Sequence, residues 1–168
     1  MTTAEQARIE ALDLLSRMEV KRLPTPLPKI ARGLKIEVEY TPLDDELSGM
    51  AFIKDGRRFA WINALHHPNR QRFSLAHEIG HHILHEDLLK QGVHVDKGIL
   101  RRDKLSAQGT DDLEVQANAF ASELLMPSDH VEAALPPNFD LDDIEHINQL
   151  ADKFRVSLAA MQYRLMRS

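Results

Sequence analysis

The segment from His77 to His81 matches the pattern H-E-x-x-H, and this pattern constrains the chain to a helix that can hold a metal ion. Positions i and i+4 lie on one face of an α-helix, so His77 and His81 can direct ring nitrogens at one point about 2 Å from each. Glu78 follows His77, where it can take a proton from a water molecule held by the metal. The motif therefore predicts metal-assisted peptide hydrolysis.

The residues around the motif favour a buried metal site over a chance match, although nine histidines make coincidence a real alternative. Phe73 and Leu84 share the face of the two motif histidines, and further apolar residues lie on either side. This face therefore points inward. Buried histidines need polar partners, and a pair at metal spacing is better explained by a shared ligand than by two separately satisfied core histidines.

A metal site of this kind needs a third protein ligand, and His85 is one candidate. His77, His81 and His85 form a continuous row, but the first and third are about 12 Å apart along a straight helix at 1.5 Å per residue. One zinc ion cannot bridge that distance, and no glycine follows the second histidine to turn the chain back. We therefore interpret His85 as a solvated residue near the helix end or as a neighbour of the ligands.

Glu114 is the better candidate for the third ligand. The segment 111–127 is predicted to be an amphipathic helix, with acidic residues at its start and a proline at its end. Glu114 shares a face with Ala117, Asn118 and Ala121, small residues that let another helix approach closely. The alternative role for Glu114 is only to favour the helix N-terminus. Its position predicts a site of His77, His81 and Glu114 with an open fourth position.

Two separated blocks resemble the ImmA/IrrE-type metallopeptidases. The first runs from Arg72 to His82, and the second contains the pattern E-x-x-A-N-x-F-A from Glu114 followed by Leu124-Leu125-Met126-Pro127. The resemblance extends from about Ile30 to Leu165. It implies a zincin-like fold in which His77, His81 and Glu114 hold zinc and Glu78 is the catalytic base. Members of this family typically cleave helix-turn-helix repressors, relieving repression in mobile elements or in stress responses. Larger members carry a sensor domain after this region, so a chain ending at Ser168 corresponds to a short form.

Composition limits the remaining possibilities. The 168 residues, 43% of them hydrophobic, suffice for one compact domain with a small helical appendage. The chain has no cysteine, so nitrogen and oxygen must hold the predicted Zn²⁺, and an oxygen ligand also suits Mn²⁺. Neither a secretion signal nor a membrane-spanning run is present in the sequence, which predicts a cytoplasmic protein. The net charge of −5 favours a basic protein partner over nucleic acid.

The predicted fold is α+β, with a zincin-like core and a small antiparallel sheet of three strands. These strands are expected at residues 35–40, 48–53 and 58–63, with a tight hairpin at Asp55-Gly56. An edge strand beside the metal helix could hold an extended substrate by adding it to the sheet. Residues 88–110 form a long connection, which is expected to be either a substrate-gating segment or disordered.

Four further residues are candidates for stabilising the oxyanion that forms during hydrolysis. His66 and His67 precede the metal helix, and an ordinary loop position is the alternative for each of them. Tyr40 and Tyr163 are the tyrosines that the chain offers as phenolic donors. The sequence assigns this role to none of the four.

The C-terminal helices resemble a helix-turn-helix, with Ser157 as the N-cap of the second helix. If they bound DNA, Gln162 and Arg164 would face a groove. Residues 127–168, however, contain seven Asp or Glu against four Lys or Arg, a net charge of −3 that would repel phosphates. We therefore predict a metallopeptidase domain at residues 1–127 and a packed helical subdomain at residues 128–168.

Three functional hypotheses follow. The first is a zinc endopeptidase that cuts a regulatory protein, expected to be a helix-turn-helix repressor encoded nearby, with Glu78 as the base. The second is a metal-containing protein of toxin/antitoxin or anti-repressor type that binds such a regulator without cleaving it. The third is a DNA-binding regulator that uses the C-terminal helices, which the charge of this segment disfavours.

Overall fold

The computed structural model describes residues 3–91, 100–101 and 111–167 of the chain. Helices and strands form the α+β arrangement that the sequence predicts. The elements, in chain order, are α1 (Ala4–Arg17), α2 (Leu27–Gly33), β1 (Ile36–Thr41), β2 (Gly49–Lys54), β3 (Arg57–Asn63), α3 (Pro68–Leu84), α4 (Glu86–Gln91), β4 (Leu100–Arg101), α5 (Asp111–Leu125), α6 (Ser128–Ala134), α7 (Ile144–Phe154) and α8 (Leu158–Arg167).

The sheet is mixed rather than wholly antiparallel, with strand order β1-β3-β2-β4. The hairpin of β2 and β3 is antiparallel as predicted, and Gly56 adopts a φ of 75° in its turn, which glycine accepts at low cost. Strand β1, however, pairs with β3 in parallel, from Ile36 opposite Arg58 to Thr41 opposite Asn63. The antiparallel prediction for β1 is therefore wrong, and β3 lies at the centre of the sheet.

Asn63, at the end of β3, holds the connection between β1 and β2. Its side-chain nitrogen donates to the carbonyl oxygen of Leu47 at 2.8 Å and approaches those of Leu43 and Asp44. Its side-chain oxygen accepts a hydrogen bond from Leu43 N. Asn63 is fully buried, so these bonds replace water contacts and hold residues 43–47 across the end of β3. The connection from β1 therefore passes β3, and β2 begins on its far side.

The metal-motif helix α3 packs against α5, and a glycine sets how closely the two helices approach. A Cβ atom added to Gly80 would lie 3.0 to 3.3 Å from atoms of the Phe120 side chain, which is fully buried on α5. Helix α1 packs on α5 as well, and the apolar core continues without interruption into α7 and α8. Helix α5 is therefore central to the described fold and fixes the position of α3.

The second of the two C-terminal helices begins as the sequence predicts. The Ser157 hydroxyl accepts a hydrogen bond from Ala160 N at the start of α8, which confirms Ser157 as an N-cap. Helix α7 ends at Phe154 and is followed by Arg155, which adopts a left-handed conformation.

Two further sequence predictions concern the connection at residues 88–110 and membrane-spanning helices. Residues 88–91 belong to α4, residues 100–101 form β4 beside β2, and the rest of the expected gating segment lies outside the described residues. Over the parts of the chain that are described, no helix is both long and apolar enough to cross a membrane.

Candidate metal centre

The structure brings His77, His81 and Glu114 together at one point between α3 and α5. The two histidine Nε2 atoms are 3.0 Å apart, and each lies close to a different Glu114 oxygen, at 3.3 Å for His77 and 3.1 Å for His81. The candidate ligand atoms of these residues all lie within 4.8 Å of one another. Ligands on a tetrahedral zinc ion are about 3.3 Å apart for bonds of about 2.0–2.1 Å. The separations therefore fit a shared small cation.

The chemistry of the donor set fits a cation as well. His77 Nδ1 lies 2.8 Å from the Asn118 side-chain oxygen, so this nitrogen donates and leaves the Nε2 lone pair directed at His81 and Glu114. Both histidines are fully buried, and the Glu114 side chain is 21% exposed. A carboxylate and imidazole nitrogens that converge in a largely buried place are the ligands that zinc takes from proteins lacking cysteine.

The carboxylate of Glu114 is held in its charged form. Burial alone raises the pKa of Glu114, but its contacts with His77 and His81 outweigh this effect and hold the pKa well below the ordinary value. This direction is expected whether a proton on the imidazoles or a bound cation balances the negative charge. Glu114 can therefore act as an anionic ligand at neutral pH.

His85 contacts His81 and does not reach the convergence point of the ligands. Its Nδ1 lies 2.9 Å from Nδ1 of His81, which is the ring nitrogen directed away from Glu114. Its Nε2 lies 2.8 Å from the side-chain oxygen of Gln116 on α5. Burial lowers the pKa of His85 to about 4, so the ring is neutral at physiological pH. This placement agrees with the prediction that His85 is a neighbour of the ligands.

Glu78 is fully buried beside the first residue of β2. A Cβ atom added to Gly49 would lie 3.0 Å from Glu78 Oε2 and 2.7 Å from the backbone oxygen of Trp61. Gly49 is thus required because β2 packs closely on both β3 and α3 at this position. This glycine gives the Glu78 carboxylate the room that it occupies between α3 and the sheet.

The four candidates for the oxyanion role lie in ordinary structural positions. His66 Nε2 is within 3.2 Å of the Asn63 side-chain nitrogen and 3.1 Å of the Asp45 backbone oxygen. His67 caps α3, with its Nδ1 accepting a hydrogen bond from Asn69 N. Tyr40 and Tyr163 are both exposed. The electrophilic partner therefore stays unassigned.

Arg164 cannot face a DNA groove, because its side chain is buried against α5 and α6. Its guanidinium donates to the backbone oxygen of Met126 and to the Ser128 hydroxyl, and it lies 3.8 Å from Glu123. Gln162 is partly exposed. The idea that Arg164 reads a DNA groove is therefore wrong, and Arg164 instead joins α8 to the body of the protein.

A groove of about 450 Å³ lies next to the candidate centre, between α5 and α8. Asn118, the partner of His77, lines the groove together with Val115, the neighbour of Glu114. Tyr163 and Arg167 line it on α8. The groove therefore reaches from the ligand helix to the C-terminal helices.

Sequence reasoning missed three residues that shape the centre, namely Gly49, Gln116 and Asn118. The sequence places Asn118 on the Glu114 face and in the E-x-x-A-N-x-F-A block, and Gln116 inside the same helix, but it gives neither side chain a role. The spacing of Asn118 from Glu114, one helical turn, is the signal that places both on the face toward α3. Gly49 carried no signal, because its role depends on the packing of a distant helix.

A family model identifies the family to which the chain belongs. Residues 31–166 match the peptidase M78 family model, described as the IrrE N-terminal-like domain. The chain belongs to this family. Membership indicates a peptidase and agrees with the resemblance that both motif blocks carry. No curated protein matches the chain significantly.

A solved structure shows the same fold as this family member. It is described as a Mycobacterium tuberculosis transcriptional regulator, with a TM-score of 0.63 and 15% sequence identity over 96% of this chain. The present chain spans 46% of the length of that protein. At this identity the likeness concerns the fold alone.

Proposed function

We propose that this chain is a cytoplasmic zinc endopeptidase that hydrolyses a peptide bond in a helix-turn-helix repressor. The observation that carries the proposal is the convergence of His77, His81 and Glu114 in a member of a peptidase family. Glu78 follows the first of these residues, which is the position of the base in the H-E-x-x-H pattern. The repressor as substrate is supported by what the family resemblance implies.

His77, His81 and Glu114 are the residues that would hold the metal. Two imidazoles and one carboxylate suit Zn²⁺, and the oxygen ligand suits Mn²⁺ as well. A cation held by these groups supplies activation of a water molecule and polarisation of the scissile carbonyl.

Glu78 is the proposed general base. Its carboxylate accepts the proton of the attacking water and then delivers it to the amine that leaves. The carboxylate is fully buried between α3 and β2, so solvent does not compete for this proton. General bases of this kind typically contribute about 10²–10⁴-fold to the rate.

The substrate segment is expected to lie extended across the centre, near Gly49 and the groove beside α5. At the β2 edge, Met50 and Ala51 already pair with β4. A substrate strand can use these two positions only in place of β4, because the backbone groups there have their partners. The groove lined by Val115, Asn118 and Tyr163 offers room for substrate side chains.

We propose that residues 1–127 carry the peptidase and that residues 128–168 form a helical subdomain packed on it. The buried contacts of Arg164 with Met126 and Ser128 support a packing role for this subdomain. The net charge of −5 supports a partner with a basic surface, as DNA-binding repressors have. We propose no direct contact with DNA.

The test is incubation of the zinc-loaded protein with the helix-turn-helix regulator encoded beside it, followed by intact-mass measurement. We expect two fragments whose masses sum to that of the regulator plus one water. Glu78→Gln should abolish the fragments while zinc content per chain stays at the wild-type value. Glu86→Gln is the matched control, because Glu86 pairs with Arg58 and Lys90 away from the ligands and should leave cleavage intact.

An intact regulator that co-elutes equally with wild type and with Glu78→Gln would favour binding without cleavage. Fragments that persist with Glu78→Gln would contradict Glu78 as the base. Wild-type protein that takes up no zinc or manganese would contradict the metal site.

A further inference from the structure

We infer that His85 and Gln116 are a positioning pair that holds His81 in the tautomer whose Nε2 lone pair faces Glu114. This inference rests on the proposed metal site and adds residues that control it. The contacts run in one line from Gln116 on α5, through His85, to His81 on α3. Each contact determines which ring nitrogen of the next residue in the line carries the hydrogen.

The direction of the line is set by the Gln116 oxygen. An amide oxygen can only accept, so the His85 Nε2 that lies 2.8 Å from it carries a hydrogen. A neutral imidazole has one such hydrogen, which leaves His85 Nδ1 as an acceptor. His81 Nδ1, at 2.9 Å, must then be the donor. The second ring nitrogen of His81 thereby carries a lone pair instead of a hydrogen, as a metal ligand requires.

The His85 ring is enclosed by the residues that fix its hydrogen bonds. Its side chain is 6% exposed, and the rings of His81 and His85 are 5.1 Å apart between centroids. Gln116 faces it from α5 with an uncharged amide. A buried imidazole with a defined hydrogen-bond acceptor therefore occupies this position.

The Nε2 lone pair of His77 is directed in the same way, but by one direct contact instead of two. The Asn118 side-chain oxygen lies 2.8 Å from His77 Nδ1 and orients that ring directly. Asn118 and Gln116 both belong to α5, as does Glu114. One helix thus supplies a ligand and the orientation of both histidines, which is the usual function of groups that contact metal ligands from outside the coordination sphere.

A packing role alone does not explain the His85 contact. If His85 only filled space, either direction of the hydrogen bonds would serve. The reverse direction would place a hydrogen on His81 Nε2, which lies 3.0 Å from His77 Nε2 and 3.1 Å from the Glu114 carboxylate. That tautomer cannot bind a cation at the convergence point. The pair therefore selects the binding-competent form.

The test compares three variants by zinc competition against a chromogenic chelator. His85→Ala should lower zinc affinity about 10–100-fold, the effect typical of losing such an outer partner. His85→Asn should restore most of the loss, because its side-chain oxygen can accept from His81 Nδ1. His82→Ala is the matched control, because His82 is equally buried on α3 but donates to Phe59 O, and it should change affinity less than about 3-fold.

A second readout uses long-range ¹H–¹⁵N spectra of the metal-free protein at pH 8. In wild type, His81 should carry its hydrogen on Nδ1, and His85→Ala should give a mixture of both tautomers. Wild-type His81 with its hydrogen on Nε2, or an unchanged tautomer and affinity in His85→Ala, would overturn the inference. Wild-type protein with the expected tautomer but no zinc binding would contradict the proposed function only.

Discussion

The helix pair of α3 and α5 buries polar residues together with apolar ones, whereas the helix pair of α7 and α8 buries almost only apolar ones. On α3 and α5, and at the end of α3, the buried polar residues include His77, His81, His85, Glu78 and Gln116. The buried residues of α7 and α8 are apolar apart from Arg164, and they are Ile147, Leu150, Ala151, Phe154, Met161 and Leu165. Both pairs belong to one continuous core.

The two pairs therefore differ in what they contribute to stability and to metal binding. Burying polar groups costs free energy unless each group finds a partner, whereas burying apolar groups stabilises the fold by about 25 cal/mol per Å². The pair α7 and α8 is therefore explained by packing alone. The pair α3 and α5 gives up part of that stabilisation, and its polar groups form a convergent donor set. We expect variants to affect stability in both pairs but metal binding in only one.

The largest expected effect comes from removing one fully buried aromatic ring in each pair. Phe120→Ala and Phe154→Ala should each lower the free energy of unfolding by about 3–5 kcal/mol, measured by urea denaturation. Phe120 packs on Gly80 between the ligand helices, so its loss should also weaken zinc binding. Phe154 lies away from the ligand helices. Equal losses of zinc affinity in both variants would contradict the expected difference between the two helix pairs.

Two glutamates on α5 provide the next test. Glu114→Gln should lower zinc affinity more than about 100-fold, beyond the loss typical of outer partners, with little change in stability. Glu123 is 1% exposed and bonds Ser128 N and the Ser128 hydroxyl, so Glu123→Gln should lower the free energy of unfolding by about 1.5–3 kcal/mol. Its zinc affinity should equal that of wild type. Chelator competition and urea denaturation distinguish the two patterns, and the reverse pattern would show that Glu114 is not a ligand.

A buried histidine of α3 that faces the sheet should also make stability depend on pH. Burial lowers the pKa of His82 to about 4 from an ordinary value of 6.5, because it outweighs the opposite effect of the hydrogen bond to Phe59 O, and the charge of Arg58 acts in the same direction as burial. The unfolded chain therefore binds more protons between pH 6.5 and 4, and stability falls as the pH falls through this range. For metal-free protein, we expect a loss of about 2 kcal/mol from this group between pH 7 and 4.5.

His82→Gln should flatten this dependence by about one proton, measured as urea unfolding free energies at several pH values with a chelator present. His85 shifts in the same direction and keeps part of the slope in the variant. A slope unchanged by His82→Gln would show that His82 does not titrate as a buried group.

The smallest expected effect concerns the exposed face of α8. Tyr163 and Met166 are 73% and 74% exposed, so replacing either with Ala should change the free energy of unfolding by less than about 0.5 kcal/mol. Tyr163 lines the groove beside Asn118, and Tyr163→Ala should raise KM for the repressor with little change in kcat. Met166→Ala is the control and should leave both constants unchanged. Equal KM values in both variants would exclude the groove from substrate binding.

Local patterns in the sequence predicted much of this molecule. The H-E-x-x-H spacing, the Asp55-Gly56 turn and the Ser157 cap each depend on residues within a few positions of one another, and the structure has all three elements. The approach of Glu114 to the histidines also followed from local spacing, because the small residues around it marked a close helix contact.

What the sequence did not predict depends on distant contacts. The parallel pairing of β1 with β3 accompanies contacts of Asn63 with the 43–47 segment, and the polar-apolar alternation of β1 indicates neither. Arg164 is buried because Glu123, Ser128 and Met126 O surround its guanidinium, although its position on α8 alone suggested an exposed surface. The role of His85 likewise requires Gln116 from another helix.

The dependence of the candidate centre on α5 has a consequence for synthesis of the chain. A polypeptide that ends before residue 111 already contains His77, Glu78 and His81, but it lacks Glu114 and the two side chains that orient the histidines. It also lacks the surface on which α1 and α3 pack. Truncated products are therefore expected to be inert towards other proteins in the cell, since the proposed donor set is complete only once part of the last third of the chain has emerged.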